Sequence, residues 1–309
     1  MTPTDAERKL RELSFLHEVA QLASSARDWD EMLRIVIDRT TDAMGAEVSS
    51  LYLLERRPNV KSIAGINQNY AWGQDSWADF EASMKALKPD IEVKTSQMPK
   101  LMAGQFSAEI TTLLASGADV IHSSFWGGDL EGLVLQGAPR GLFEKHKILL
   151  SAGEPAINRL GTKIPDGTIL GGRGPFGPFA PDTELSRWLK SNYEERYQVP
   201  PNYASFRMAQ AILGVKAAYE NAQKAGAAAP SQEQIIAAFE NLTFEGPGGM
   251  VKMALGKGHQ AVMDTAIGTT KSEGGQLKIV DIVRYPAEKV LPPEGVKSEA
   301  WIKSGFKAK

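Results

Sequence analysis

The sequence predicts an α/β fold built around a largely parallel sheet. From about residue 60, short apolar segments of strand length alternate with longer segments that carry apolar residues at three- and four-residue spacing. The predicted strands start about every 28–30 residues, which is the length of one βα unit. Because parallel neighbours must be joined by a crossover, this alternation predicts right-handed βαβ units with helices on both faces of the sheet.

Length and composition narrow the possible functions. The 309 residues suffice for about two domains at roughly 100–200 residues each. The 35 Lys and Arg residues are balanced by 37 Asp and Glu residues, which argues against nucleic acid as a partner because phosphate binding needs clustered basic side chains. The chain has no cysteine, which excludes disulfides, thiolate zinc sites and cysteine nucleophiles.

The N-terminal segment is expected to form two helices and a strand. Leu13, Leu16 and Ala20 recur at helical spacing, and a second amphipathic helix is predicted to end at Gly45. EVSSLYLLE (47–55) alternates in the strand period and predicts a strand. This order and the residues DAMGAEVSSLYLLE resemble the opening of a GAF domain, a small sensory domain of signalling proteins. An ordinary helical hairpin leading into a strand is the alternative.

Neither a signal peptide nor a membrane span is predicted. A secretory signal needs roughly 7–15 uninterrupted apolar residues, whereas Arg11, Glu12, His17 and Glu18 interrupt the first apolar segment. No run of about 18 apolar residues occurs elsewhere in the sequence. The chain as given is therefore expected to stay in the cytoplasm.

The central part predicts four strands joined by three helices, and a different pattern follows it. Strands are expected over KSIAGI (61–66), DIEV (90–93), ADVIHSS (118–124) and KILLS (147–151). Helices are expected over 73–88, 106–116 and 129–140. The Gly- and Pro-rich segment 165–182 predicts a hinge. Helices over 184–197, 203–226 and 231–242 should follow, and then strands over 251–256, 261–270 and 276–286.

Candidate binding residues follow the predicted strands. In an open parallel sheet, ligands bind outside the carboxyl ends of the strands. The candidates there are Tyr70 and Trp72 after the first strand, Ser124, Phe125 and Trp126 after the third, and Glu154 after the fourth. Such a set suits a small zwitterion, with Glu154 facing an ammonium group and the aromatic rings supplying cation–π or apolar contact. The alternative is that Trp72 and Trp126 are buried loop aromatics and Glu154 is a solvated turn residue.

Three long segments resemble one family. KSIAGINQNYAWGQDSWADFEASMKAL, KLMAGQFSAEITTLLASGADVIHSSFWGGDLEGLVLQG and PPNYASFRMAQAILGVKAAYENA are similar to the substrate-binding proteins of branched-chain amino-acid ABC importers. The resemblance covers about residues 60–280. It implies a type I periplasmic binding protein fold, in which two α/β lobes close on an amino acid or amide and deliver it to a membrane permease. It also implies a periplasmic location, no cofactor and no catalytic step.

The resemblance also implies roles for the candidate residues. Trp72 lies where the family often has an aromatic side chain facing the ligand, and Phe125 and Trp126 follow the third strand. Glu154 lies where a carboxylate often meets the ligand's amino group. The family's first-lobe segment before KSIAGI is not recognisable, so the chain is expected to be chimeric. Its expected parts are a GAF-like fragment (1–58), an α/β substrate-binding lobe (59–170), and the hinge, helices and strands of an incomplete second lobe (171–309).

Two other functions are considered. The GAF-like and binding-protein-like parts together would suit a cytosolic small-molecule sensor. An enzyme has less support because no nucleophile or acid–base carboxylate pair is evident, and the four histidines show no metal-ligand spacing. GRGPFG (172–177) has the glycine spacing of a dinucleotide motif, but its prolines preclude the required helix N-terminus. The oligomeric state is left open.

Overall fold

The computed structural model describes residues 47–254, 260–293 and 295–307. These residues form a seven-stranded sheet covered by helices on both faces, together with a smaller three-stranded sheet. The two helices predicted before Gly45 lie outside the described residues. None of the helices in these ranges combines the length and apolar character needed to cross a bilayer.

Ten strands are present in the described ranges. They are β1 (Ser62–Ile66), β2 (Glu92–Gln97), β3 (Val120–Ser123), β4 (Lys147–Leu150), β5 (Ile169–Gly171), β6 (Thr243–Gly246), β7 (Gly249–Ala254), β8 (Gln260–Val262), β9 (Thr265–Glu273) and β10 (Gln276–Tyr285). The strand–helix alternation predicted over residues 61–151 is confirmed.

Eleven α-helices accompany these strands in the same ranges. They are α1 (Glu47–Arg56), α2 (Ala71–Leu87), α3 (Ser107–Ser116), α4 (Gly127–Gly137), α5 (Leu142–Lys145), α6 (Ile157–Leu160), α7 (Glu184–Tyr197), α8 (Tyr203–Lys224), α9 (Gln232–Ala238), α10 (Ala287–Val290) and α11 (Ser298–Lys303). Short 3₁₀ turns cover Ala138–Arg140, Glu154–Ala156, Gly161–Lys163 and Gly177–Phe179.

The large sheet has the strand order β10-β9-β5-β4-β3-β1-β2. The five strands from β5 to β2 pair in parallel, whereas β9 pairs antiparallel with both β5 and β10. The parallel part is the arrangement that the repeated βα units predict. Its strands end at one common edge, called the carboxyl edge below.

Alternate residues of the central strands point to two separate apolar cores. On one face Ile121 and Leu150 pack with residues of α3 and α4. On the other face Val120 and Leu149 pack with residues of α1 and α2. Because both faces are covered, every residue of β1, β3 and β5 is buried.

A smaller layer follows the large sheet along the chain. Strands β6, β7 and β8 form an antiparallel sheet, and α8 packs on it together with α9. Gly214 of α8 permits this contact, since a Cβ atom there would lie 2.9 Å from the Phe244 ring. Asn202 is the N-cap residue of the long helix α8, and its side chain accepts a hydrogen bond from the Ala204 N–H.

The strand predicted over residues 47–55 is wrong, because this segment is the helix α1. Its leucines and glutamates are good helix formers, and consecutive residues Tyr52 and Leu53 are both buried. Tertiary contacts hold the helix on the sheet layer, where the Ser50 hydroxyl donates to the Phe80 carbonyl at 3.3 Å. The Tyr52 hydroxyl lies 3.1 Å from the Thr269 hydroxyl of β9.

Because His122 of β3 is buried, the free energy of unfolding is expected to fall as the pH becomes acidic. Its ring stacks on Phe80 at 4.2 Å between centroids, and neither ring nitrogen has a described hydrogen-bond partner. Complete burial lowers the pKa of His122 to about 3. The imidazole is therefore neutral in the folded state, whereas it gains a proton below about pH 6.5 when unfolded.

We expect His122→Leu to reduce the loss of stability in acid. Between pH 6.5 and pH 4 the unfolded wild type binds a proton that the folded state does not, which lowers wild-type stability by about 3 kcal/mol at pH 4. The variant should lack this component in urea unfolding followed by circular dichroism. An unchanged pH slope between the two proteins would contradict the assignment.

Candidate functional site

The carboxyl edge is held together by a buried amide. The side-chain oxygen Oδ1 of Asn67, just after β1, accepts hydrogen bonds from the Ser124 N–H and the Ser124 hydroxyl, each at 2.8 Å. Both side chains are fully buried. This arrangement joins the ends of β1 and β3 and fixes the loops that follow them. The predicted ligand residue Ser124 is thus placed beneath the surface, where it orients its neighbours.

Two of the predicted aromatic residues make hydrogen bonds at this edge. The Trp72 indole N–H donates to the Ser124 carbonyl at 3.3 Å, and the Trp126 indole N–H donates to the Tyr70 hydroxyl at 2.6 Å. Trp72, Trp126 and Tyr70 are all partly exposed. The structure therefore brings these three predicted residues together, with both indole nitrogens already hydrogen-bonded and all three residues partly exposed.

Phe125 lies on the other side of the same loop. Its ring is fully buried and packs against Phe106, with 5.0 Å between the ring centroids. The residue belongs to the core between the sheet and helices α3 and α4. In the structure Phe125 packs in the core. A direct contact between Phe125 and a ligand stays a prediction.

Sequence reasoning missed Arg173, which lies at the centre of the site. Its guanidinium carbon is 5.4 Å from the centroid of the Trp72 ring, 5.8 Å from that of Trp126 and 5.1 Å from that of Tyr203. These three distances are within the range of cation–π interaction. Arg173 and the three rings are called the Arg173 cluster below. Arg173 lies two residues after β5, at the carboxyl edge where ligands of a parallel sheet bind. It was missed because the Gly- and Pro-rich residues around β5 predicted a hinge and no strand.

A second guanidinium lies next to the Arg173 cluster. Arg207 of α8 donates from Nη2 to the Arg173 carbonyl at 2.8 Å, and its guanidinium lies 5.1 Å from the Phe176 ring centroid. Burial and the nearby charge of Arg173 lower the pKa of Arg207. No carboxylate in the described ranges lies within ion-pair distance of Arg173 or Arg207. Neither guanidinium is therefore neutralised by an ion pair with a described residue.

Glu154 lies beside the cluster and is almost completely buried. Only 3% of the residue is exposed, which excludes the alternative of a solvated turn residue. Its Oε2 accepts a hydrogen bond from the Tyr203 N–H at 3.3 Å. Gly177, with a φ of +54°, leaves room for Oε1, since a Cβ atom there would lie 2.3 Å from that oxygen. Burial raises the pKa of Glu154 to about 7.

The cluster draws on both layers of the molecule. Trp72 lies in the first turn of α2, after β1, and Trp126 directly precedes α4, after β3. Tyr203 and Arg207 come from α8, and Arg173 lies on the connection between the two layers. Within the described part of the chain, no group of three His, Asp or Glu side chains is placed to hold a metal ion. The arrangement offers aromatic faces and guanidinium N–H groups, which suit the binding of a small organic molecule.

Sequence comparison identifies the family of this chain. The periplasmic binding protein family matches residues 39–276, so the chain belongs to that family. The match begins before residue 60, where the resemblance noted from the sequence starts, and it includes α1. The boundary expected at residue 58 stays a prediction. A comparison with curated proteins finds no match.

Solved structures share the fold at low sequence identity. An amino acid ABC transporter substrate-binding protein from Pseudomonas fluorescens has a TM-score of 0.66 at 22% identity, and the match covers 86% of this chain and 67% of that one. A leucine-, isoleucine-, valine-, threonine- and alanine-binding protein from Brucella ovis, in a closed conformation, has a TM-score of 0.64 at 21% identity, with 81% and 65% covered.

Another similar structure holds a different kind of ligand. A solute-binding protein of an ABC transporter from Rhodopseudomonas palustris, in complex with 4-hydroxybenzoate, has a TM-score of 0.65 at 17% identity, with 78% of this chain and 64% of that one covered. The present chain thus spans about two thirds of the length of these proteins. The type I periplasmic binding protein fold predicted from the sequence is confirmed.

We expect Glu154→Gln to stabilise the protein above neutral pH. Between pH 4.5 and about 7 the unfolded chain loses a proton that folded Glu154 keeps, so this residue lowers wild-type stability as pH rises. An amide oxygen can still accept from the Tyr203 N–H. Thermal unfolding should show a higher midpoint for the variant at pH 8 and equal midpoints at pH 4. Glu195→Gln, at an exposed helix position, is the control and should change neither. A variant that is destabilised equally at both pH values would contradict the assignment.

Proposed function

We propose that the chain is a solute-binding component of an ABC importer and binds a small organic molecule at the Arg173 cluster. The observation that carries the proposal is the cluster itself. It joins aromatic side chains from the large sheet to Tyr203 of α8 across the Gly-rich connection. A ligand that touches both layers would favour a closed arrangement, because closure adds contacts that the open arrangement lacks.

The predicted ligand class is an amino acid, an amide or a similar small polar molecule. The Brucella ovis protein is an amino-acid-binding protein, and the Rhodopseudomonas palustris protein is in complex with 4-hydroxybenzoate. Both kinds of ligand carry a carboxylate, and a guanidinium binds a carboxylate through two parallel hydrogen bonds. Arg173 supplies this group in the present chain.

The proposed partners and location follow from family membership. A binding protein of this kind would deliver its ligand to the membrane subunits of an ABC permease, and it would act in the periplasm. The proposed role needs binding and release only, so it assigns no catalytic step to any residue. The described residues supply no specific observation in favour of the alternative sensor function.

The ligand site can be tested with a matched pair of tryptophan variants. Isothermal titration calorimetry of the full chain against leucine, isoleucine, 4-methylpentanamide, 4-methylpentanoate and benzoate should give saturable heat for at least one compound. Trp72→Ala should weaken that binding about tenfold, because it removes an aromatic face worth about 1–2 kcal/mol.

Trp188→Ala is the control for this pair. Trp188 lies on α7 and is 57% exposed, so its loss should leave the affinity unchanged. Absence of heat for every compound at millimolar concentration would contradict the proposed function. Equal weakening by the two variants would contradict the proposed place of the ligand.

A further inference from the structure

The charge of the site favours an anion. Arg173 and Arg207 are close enough for the charge of one to lower the pKa of the other, and no described carboxylate pairs with either side chain. A ligand cation placed among the three rings of the cluster would meet two like charges. An anion would instead compensate them. The aromatic rings therefore hold the guanidinium of Arg173 and do not form a free cage for a ligand ammonium group.

The hydrogen-bonding capacity of Arg173 is largely unused. A guanidinium has five N–H donors, and among the described residues Arg173 makes one long hydrogen bond, from Nη1 to the Tyr203 hydroxyl at 3.4 Å. The guanidinium carbon lies more than 5 Å from each ring centroid, and a carboxylate binds a guanidinium through paired N–H groups. The three neighbouring rings also restrict the side chain, which reduces the entropy lost when a ligand binds.

Glu154 is poorly placed to receive an ammonium group. It is buried, its Oε2 already accepts from the Tyr203 N–H, and its Oε1 faces Gly177. An ammonium needs an accessible, ionised carboxylate to offset its loss of water. The described site thus contains a partner for the carboxylate of an amino acid and lacks an accessible one for its ammonium.

We propose that the ligand is an organic carboxylate without an ammonium group, held by the guanidinium of Arg173 with its apolar part against Trp72 and Trp126. Arg207 adds positive charge behind the site and fixes the Arg173 backbone through its hydrogen bond. This inference rests on the proposed solute-binding function and narrows its ligand class. Arg173 is then the residue that determines specificity for carboxylates.

Ligands with the same apolar part but different charged groups test the proposal. Calorimetry at pH 7.5 compares 4-methylpentanoate with leucine and 4-methylpentanamide, and benzoate with benzamide. In at least one of the two series, the carboxylate should bind at least tenfold more tightly than its matched compounds. A leucine or amide affinity equal to or above that of the carboxylate would overturn the proposal while leaving the solute-binding function intact. Absence of binding by all five compounds would overturn both.

Variants of Arg173 test its role in this preference. Arg173→Gln should reduce the carboxylate affinity at least tenfold, to the level of the matched amide, and change the amide affinity less than threefold. Arg173→Lys keeps the charge but not the paired donors, so it should retain part of the preference. Arg187→Gln replaces an exposed arginine of α7 and should change neither affinity.

Near-ultraviolet circular dichroism and thermal unfolding identify any variant that fails to fold. If Arg173→Gln misfolds, the folded Arg173→Lys variant carries the test, with an expected loss of at least threefold in the preference. A full carboxylate preference in any folded variant lacking Arg173 would overturn the proposal.

Discussion

The large sheet buries side chains on both of its faces, and the position of the site follows from this constraint. Strands β1, β3 and β5 have no exposed residue, so side chains that must meet a solute cannot lie along them. Parallel strands end at the same edge, and the loops after them are the nearest places where polar and aromatic groups reach water. Trp126 and Arg173 lie in such connections, and Trp72 lies in the first turn of the helix that follows β1.

At this edge, a series of contacts orients the side chains from Asn67 to Arg173. Asn67 and Ser124 join the ends of β1 and β3, and the Ser124 carbonyl accepts the indole N–H of Trp72. The Trp72 and Trp126 rings then hold the guanidinium of Arg173. A ligand would meet groups that are already oriented. Such preorganisation lowers the entropy cost of binding.

Sequence patterns predicted the βα units well because those units bury one helical face and one or two strand faces. They failed at residues 47–55, where the apolar pattern fits both the strand period and the helix period. Hydrogen bonds to Phe80 and Thr269 stabilise this segment as a helix. They also missed β5, since three residues between glycines give too short an apolar pattern. Glu154 was found by its place after β4. Its hydrogen bond from the Tyr203 N–H joins residues that are distant in the sequence.

The same reasoning explains why Arg173 and Arg207 were not predicted. Arg173 lies in a Gly- and Pro-rich segment whose composition suggests only a hinge. Arg207 reaches the site because α8 crosses from the smaller layer, and no local spacing encodes that contact. The charge of a site formed between two layers becomes visible only when both layers are in place.

The central claim is that the solute binds at the Arg173 cluster, and tryptophan resonances test it most directly. The chain has six tryptophans, which can be labelled as 5-fluorotryptophan and assigned by single Trp→Phe replacements. On saturation with the tighter-binding of benzoate and 4-methylpentanoate, the ¹⁹F signals of Trp72 and Trp126 should shift, while those of Trp77, Trp188 and Trp301 should stay in place. Unchanged Trp72 and Trp126 signals would contradict the account.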